Sequence, residues 1–224
     1  AGGRIDFSMI EALLWTMAEP ILAASPVNAA RIARGARPAN AIWLWGSGRA
    51  LTLQTIPQRF GISGGVISAV DLVRGIGKSA GLEVIEVPDI TGYLDTNFEG
   101  KAEYALAALT QGDFVYVHVE APDEAGHNGD VQAKVKAIED FDGRVVAPIL
   151  AGLDRIGPCR ILMAPDHRTP IALRPHRRAP VPFVLWGTDA EPDAMVAYGE
   201  KPAEQGSMQV GHGHLLMQYL MAND

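Results

Sequence analysis

The chain has 224 residues, 48% of them hydrophobic and 20% charged, ordinary proportions that exclude collagen-like, disordered and small disulfide-framework proteins. That length allows one or two domains with a core that removes roughly 70–75% of the unfolded surface from water. The net charge of −7 argues against nucleic-acid binding, which recruits clustered Lys and Arg, and the single Cys159 fits a reducing, cytoplasmic compartment.

Ala1 to Asp6 lack the shape of a signal peptide, and no apolar run approaches the roughly 18 residues of a membrane span. Helical spacing predicts Ser8–Ser25 and Val27–Arg34. A parallel α/β domain ordinarily opens on a core strand. Residues 1–40 therefore read as a helical lead-in, the end of an insertion or of a missing amino-terminal half, and residues 41–224 as the domain proper.

Onward, the sequence predicts strand Ala41–Trp45, strand Gly65–Ser68, helix Ala69–Ala80, strand Glu83–Val87, helix Glu99–Thr110 and strand Asp113–Val119. Helix Gly129–Leu153 follows, with Val131, Val135, Ile138 and Val145 or Val146 able to share one apolar stripe. Strands Arg160–Ala164 and Val181–Trp186 and helix Met208–Met221 complete the series, with irregular connections at Pro170 to Pro182 and Gly187 to Gly206. Strand and helix alternate, and the strands are nearly continuous in hydrophobicity. That pattern predicts an α/β fold with a mainly parallel sheet covered by helices.

Ligand-type side chains gather just past the carboxyl ends of two predicted strands, where open α/β sheets place their sites. After Val115–Val119 comes Glu120-Ala-Pro-Asp123-Glu124-Ala-Gly-His127, and after Ile161–Ala164 comes Pro165-Asp166-His167. A third imidazole, His176, precedes the last strand among Arg174, Arg177 and Arg178. If Asp123 opens a helical turn, its four-residue step to His127 puts carboxylate and imidazole on one face, within reach of one cation. Taken singly, each has a plain alternative: an N-capping Asp with a surface His, a turn-forming Asp166, a solvated basic loop around His176. Together they point to a metal site, and mixed carboxylate and imidazole donors suit Mn²⁺, Zn²⁺ or Co²⁺ better than Ca²⁺.

The string Asp113-Phe-Val-Tyr-Val-His-Val-Glu-Ala-Pro-Asp-Glu-Ala-Gly-His127 resembles the archaeal-type cofactor-independent phosphoglycerate mutases, members of the alkaline phosphatase superfamily. So do Pro38–Gly46, Gly65–Gly77, Thr91–Lys101, Pro165–Pro170 and Pro180–Phe183. The resemblance runs from about Pro26 onward. It implies an alkaline phosphatase-like three-layer sandwich and a two-metal enzyme that interconverts 3-phosphoglycerate and 2-phosphoglycerate through a phosphoserine. It places one metal on Asp123, His127 and His176, and a second on Asp166 and His167 with an Asp and the nucleophilic Ser of the family's amino-terminal part. Neither of those two is found before Ser8, and the flanks of Ser47 match a later family segment, so the chain resembles a carboxyl-terminal portion. As a fragment it is expected to bind metal poorly and to turn over slowly or not at all, with the missing half packing against it.

Two divalent ions, Mn²⁺ or Zn²⁺ with Mg²⁺ or Co²⁺ as options, would screen a phosphomonoester dianion and lower the pKa of the attacking hydroxyl. Keeping glycerate between the two transfers calls for cations that grip carboxylate or phosphate. Arg49, Arg74 and Lys78 are the candidates, with solvated surface cations as the alternative. Mid-strand His118 reads as a satisfied core histidine, and His212 and His214 as helix-start residues. Gly75-Ile-Gly77-Lys78-Ser79 lacks the earlier glycine of a phosphate-binding loop. Two other functions stay open: a phosphatase or phosphotransferase of the same superfamily, and a non-catalytic domain that has lost its nucleophile.

Overall fold

A computed structural model describes residues 7–44, 46, 51–188 and 190–221. Arg49, Ser47 and Trp45 lie outside the described residues. The described chain groups into two compact units, one ending at Leu51 and one starting at Thr52. No described helix is long and apolar enough to cross a membrane.

In the first unit, α1 (Phe7–Ala23) and α2 (Pro26–Ala33) form where the helical spacing predicts them, with Pro26 in the first turn of α2, where its missing N–H costs nothing. Asn28 is buried and ties the unit together. Its amide donates to the Leu22 and Ala39 carbonyls, both at 2.7 Å, and its Oδ1 accepts from Ala39 N–H at 2.9 Å. The expected strand Ala41–Trp45 does not form: residues 41–44 are irregular and Trp43 is exposed. Alternating tryptophans supply a strand pattern, but a strand also needs a partner edge, and residues 41–44 pair with none among the described residues.

The second unit opens on α3 (Ile56–Phe60). Thr55 and Gln58 cap it reciprocally, Oγ1 accepting from Gln58 N–H and Oε1 from Thr55 N–H. Then come β1 (Gly64–Ile67), α4 (Asp71–Ser79), β2 (Glu83–Val84), α5 (Phe98–Leu109) and β3 (Phe114–Val117). They form a parallel sheet in the order β2-β1-β3, with Val66 opposite Val84 and Tyr116. This is the predicted α/β pattern, with shorter strands. Gly64 is required by the close approach of β3, since a Cβ there would overlap the Phe114 carbonyl. Gly64→Ala is therefore expected to cost about 1–3 kcal/mol through forced separation of the strands, measured as a lower urea midpoint.

Beyond β3 the chain builds α6 (Ala121–Asn128), α7 (Val131–Phe141), a π-turn at Asp142–Val146, and α8 (Ala147–Gly152). The predicted stripe on α7 is not its buried face. Val131, Val135 and Ile138 are about half exposed, whereas Ala133, Ala137 and Asp140 are buried. Small residues are what let α7 lie close against α6. In the π-turn, Arg144 makes a two-pronged pair with Glu99, Nε to Oε1 at 2.6 Å and Nη2 to Oε2 at 2.8 Å, and lies 4.9 Å above the Phe98 ring.

A core of Phe98, Ala121, Ala137 and Val145 joins α5, α6, α7 and the π-turn; a second, of Ile67, Val87 and Ala105, lies against the sheet. The last strands, β4 (Arg160–Met163) and β5 (Val184–Gly187), pair antiparallel. They are followed by α9 (Glu200–Ala203) and α10 (Leu216–Met221), so the helix expected from Met208 begins later.

Candidate metal centre

The site is built on the handover from β3 to α6. Glu120 precedes the first turn of α6, Pro122 fits that turn, and Asp123 and Glu124 meet the positive end of the helix. One turn on, His127 points along the same face, and its Nε2 lies 3.1 Å from Asp123 Oδ2. Gly129, at φ 73°, ends the helix in the left-handed conformation that glycine tolerates, and Asp130 caps α7 by accepting from Ala133 N–H at 2.9 Å.

The segment after β4 brings the second group. Asp166 Oδ1 accepts from His167 N–H at 2.9 Å, and His167 Nδ1 lies 3.9 Å from Asp123 Oδ1. The chain then turns through Arg174, at φ 68°, and comes back antiparallel, with Arg177 N–H donating to the Arg168 carbonyl at 2.9 Å. That return places His176 on the cluster. Its ring stacks on His167 at 3.7 Å between centroids, its Nε2 is 2.9 Å from His127 Nε2, and it stands 3.6 Å from Asp123 Oδ1.

One ligand atom each from Asp123, His127 and His176 lies within 4.8 Å of the other two. Three of the five residues expected as ligands thus meet, His167 stands beside them, and Asp166 reaches only His167 and is mostly exposed. Arg74 and Lys78 do not join them. Among the described residues Arg74 pairs with Glu86 and Lys78 lies exposed near the end of α4, neither in contact with the cluster.

Several contributors escape sequence reasoning. Thr169 is buried, donates its hydroxyl to Asp123 Oδ1 and stands 3.2 Å from His167 Nδ1. Its carbonyl accepts from Lys134 Nζ at 2.8 Å and sits where a Cβ on Gly126 would clash. Gly126 thus lets α6 lie directly on the loop that carries His167. The signal was Thr169 itself, a polar residue two places after an Asp-His pair.

His118 lies just past β3, partly buried but linked to the site. Its Nδ1 meets Ser68 Oγ at 3.2 Å and its Nε2 meets Glu120 Oε2 at 3.2 Å. Burial pushes its pKa down, against the pull of Asp166 and Asp123. Burial, then the neighbouring carboxylates Asp123, Glu124 and Asp166, push Glu120 up. The site is thus a concentration of negative charge, and a cation placed there would be attracted.

Lys101 of α5 lies beneath it, 1% exposed, with Nζ donating to the His118 carbonyl at 2.8 Å. Burial lowers its pKa from 10.5 to about 8, against the attraction of Glu120. Between those values the unfolded chain holds the proton that the folded chain has released, so stability rises with pH across the interval. Lys101→Met is expected to abolish that rise, which comparison of urea midpoints near pH 8 and pH 10.5 would detect.

The parallel sheet with its helices gives the α/β character of the alkaline phosphatase-like metalloenzyme fold, and carboxylates and imidazoles meet past β3 and β4. Residues 21–223 match the Metalloenzyme superfamily, and the chain belongs to that superfamily. It is 51% identical over 209 residues to a probable 2,3-bisphosphoglycerate-independent phosphoglycerate mutase of Geobacter sulfurreducens, covering 93% of this chain and 52% of the relative. With the 2,3-bisphosphoglycerate-independent phosphoglycerate mutase of Methanosarcina acetivorans it shares 52% over 190 residues, covering 84% of this chain and 48% of the relative. The chain thus spans about half the length of these curated relatives. Among solved structures, the PH0037 protein from Pyrococcus horikoshii superposes with a TM-score of 0.86 at 27% identity, over 96% of this chain and 56% of that one.

Proposed function

We propose that Asp123, His127 and His176 hold one divalent cation and that Asp166 and His167 contribute to a second, with Mn²⁺ or Zn²⁺ favoured and Mg²⁺ or Co²⁺ as options. The observation that carries this reading is the mutual approach of the His127 and His176 Nε2 atoms, 2.9 Å apart, beside the Asp123 carboxylate. Two imidazole lone pairs at that distance repel unless a proton or a cation lies between them. One carboxylate with two imidazoles suits a borderline divalent ion.

We further propose that the complete protein is a cytoplasmic phosphoglycerate mutase acting on 3-phosphoglycerate and 2-phosphoglycerate through a phosphoserine. In this reading residues 1–40 are a lead-in and residues 41–224 the metal-binding domain. The serine comes from the part of the full-length relatives that this chain does not span, a part that packs against it. The bound cations would neutralise phosphoryl oxygens and favour the alkoxide form of the attacking hydroxyl. The chain's own residues hold that arrangement: Thr169 fixes one oxygen of Asp123, Asp123 orients His127, and His167 stacks on His176. Arg49, Arg74 and Lys78 remain the proposed cations for the substrate's carboxylate or phosphate, and Arg74 would have to leave Glu86 to serve.

Incubating the 224-residue chain with Mn²⁺ and 3-phosphoglycerate, followed by phosphorus NMR, tests this. With the Mn²⁺ chelated before recording, no isomerisation is expected, while equilibrium dialysis of the chain against Mn²⁺ is expected to show uptake. Sustained formation of 2-phosphoglycerate would contradict the placement of the nucleophile, and absence of metal uptake would contradict the site. Release of inorganic phosphate without isomerisation would favour a phosphatase.

A further inference from the structure

Lys101 is a buried cation, among the described residues, that the proposed metal chemistry does not use. It sits on α5 within the apolar interior, beside Phe98, Ala102 and Ala105 of the same helix face, all of them buried. A buried ammonium in such surroundings is costly unless its hydrogen bonds are made. Its partner is the backbone carbonyl of His118, the residue just past β3, at 2.8 Å. The side chain of that same residue spans Ser68, just past β1, and Glu120, just before α6, and Glu120 O in turn accepts from Asp123 N–H at 2.9 Å. A continuous strut therefore runs from α5 through the end of β3 to the first turn of α6.

We propose that Lys101 is a positioning residue for the metal centre: its ammonium, fixed on the His118 carbonyl, sets the turn from β3 into α6 and hence where Asp123 and His127 stand. A neutral, donor-free side chain of similar volume would leave that carbonyl without its partner, so the end of β3 relaxes and α6 shifts with it. Lys101 acts through His118, since it lies too deep to meet substrate. The inference rests on Asp123 and His127 being ligands, and supporting groups behind metal ligands typically change affinity by 10- to 100-fold when removed.

The test uses Lys101→Met in the whole chain, with Leu82→Ala, a buried residue between α4 and β2, as a control that lowers stability elsewhere. In the metal-free chain, nitrogen-15 spectra of the imidazole rings are expected to show the His118 and His127 signals displaced in Lys101→Met and unmoved in Leu82→Ala. Manganese affinity is expected to fall about 10-fold in the first and to stay within about twofold in the second. A folded Lys101→Met chain with His127 signals at their wild-type positions would overturn the proposal. Failure of the wild type to bind Mn²⁺ would count against the metal reading alone, because the ring spectra decide the positioning role without metal. If the methionine variant does not fold, Lys101→Leu, likewise without a donor, carries the same test: displaced ring signals support the role and undisplaced ones refute it.

Discussion

Asp123→Ala is expected to lower divalent-metal affinity on the order of 100-fold, at the upper end of what loss of even a supporting group costs such a site. The size follows from how much meets at this one carboxylate. His127 Nε2 lies 3.1 Å from Oδ2, His176 Nε2 lies 3.6 Å and His167 Nδ1 3.9 Å from Oδ1, and Thr169 donates to the same oxygen. Removing it takes away a ligand charge and also frees the imidazoles it aligns. Asp123→Asn separates the two effects, because the amide oxygen still accepts from Thr169 while the charge is gone. Both variants are expected to lose the metal-dependent rise in melting temperature that mass action gives the wild type, while their metal-free melting temperatures differ. Retention of that rise in both would show that the ion sits elsewhere.

Phe98→Ala is expected to destabilise the chain by about 3–5 kcal/mol, the range for deleting a fully buried aromatic ring. Phe98 is completely buried among Ala121, Ala137 and Val145, which pack around it from α6, α7 and the π-turn. The alanines cannot close the space the ring leaves, and Arg144 loses the aromatic face it covers. Because Ala121 is the first residue of α6, the cavity opens directly behind the helix that carries Asp123 and His127. Against a typical total stability of about 5–15 kcal/mol this loss is large, and urea unfolding followed by circular dichroism measures it. A loss below about 1 kcal/mol would mean that α5 is not the keystone of this core.

The residues proposed as ligands were legible in the sequence because their chemistry is carried by residue type and local spacing. Asp123 and His127 are one helical turn apart, and Asp166-His167 follows an apolar run of strand length. What the spacing could not show is the support behind them. Thr169 reads as one more turn residue until the Arg168–Arg177 return folds it under Asp123. Lys101, one residue of an expected helix, is buried because α5 packs against the end of β3.

The α7 part of the stripe failed for a related reason, while Val145 beyond α7 is buried as expected. Val131, Val135 and Ile138 carry the strong hydrophobic signal, but Ala133 and Ala137 have the small volume that close packing on α6 needs, so the weaker signal marks the buried face. The π-turn at Asp142–Val146 carries Arg144, which pairs with Glu99, 45 residues away, a contact that no local pattern records. Of the predicted strands, Glu83–Val87 shortens to Glu83–Val84, although Ile85 N–H still donates to the Val66 carbonyl at 2.9 Å and continues the pairing by one bond.

Anomalous diffraction from crystals of the chain grown with Mn²⁺, recorded on either side of the manganese edge, tests the metal centre most directly. A peak within coordination distance of Asp123, His127 and His176 together is the expected result. A fully occupied manganese peak remote from all three, or none at saturating Mn²⁺, would contradict it.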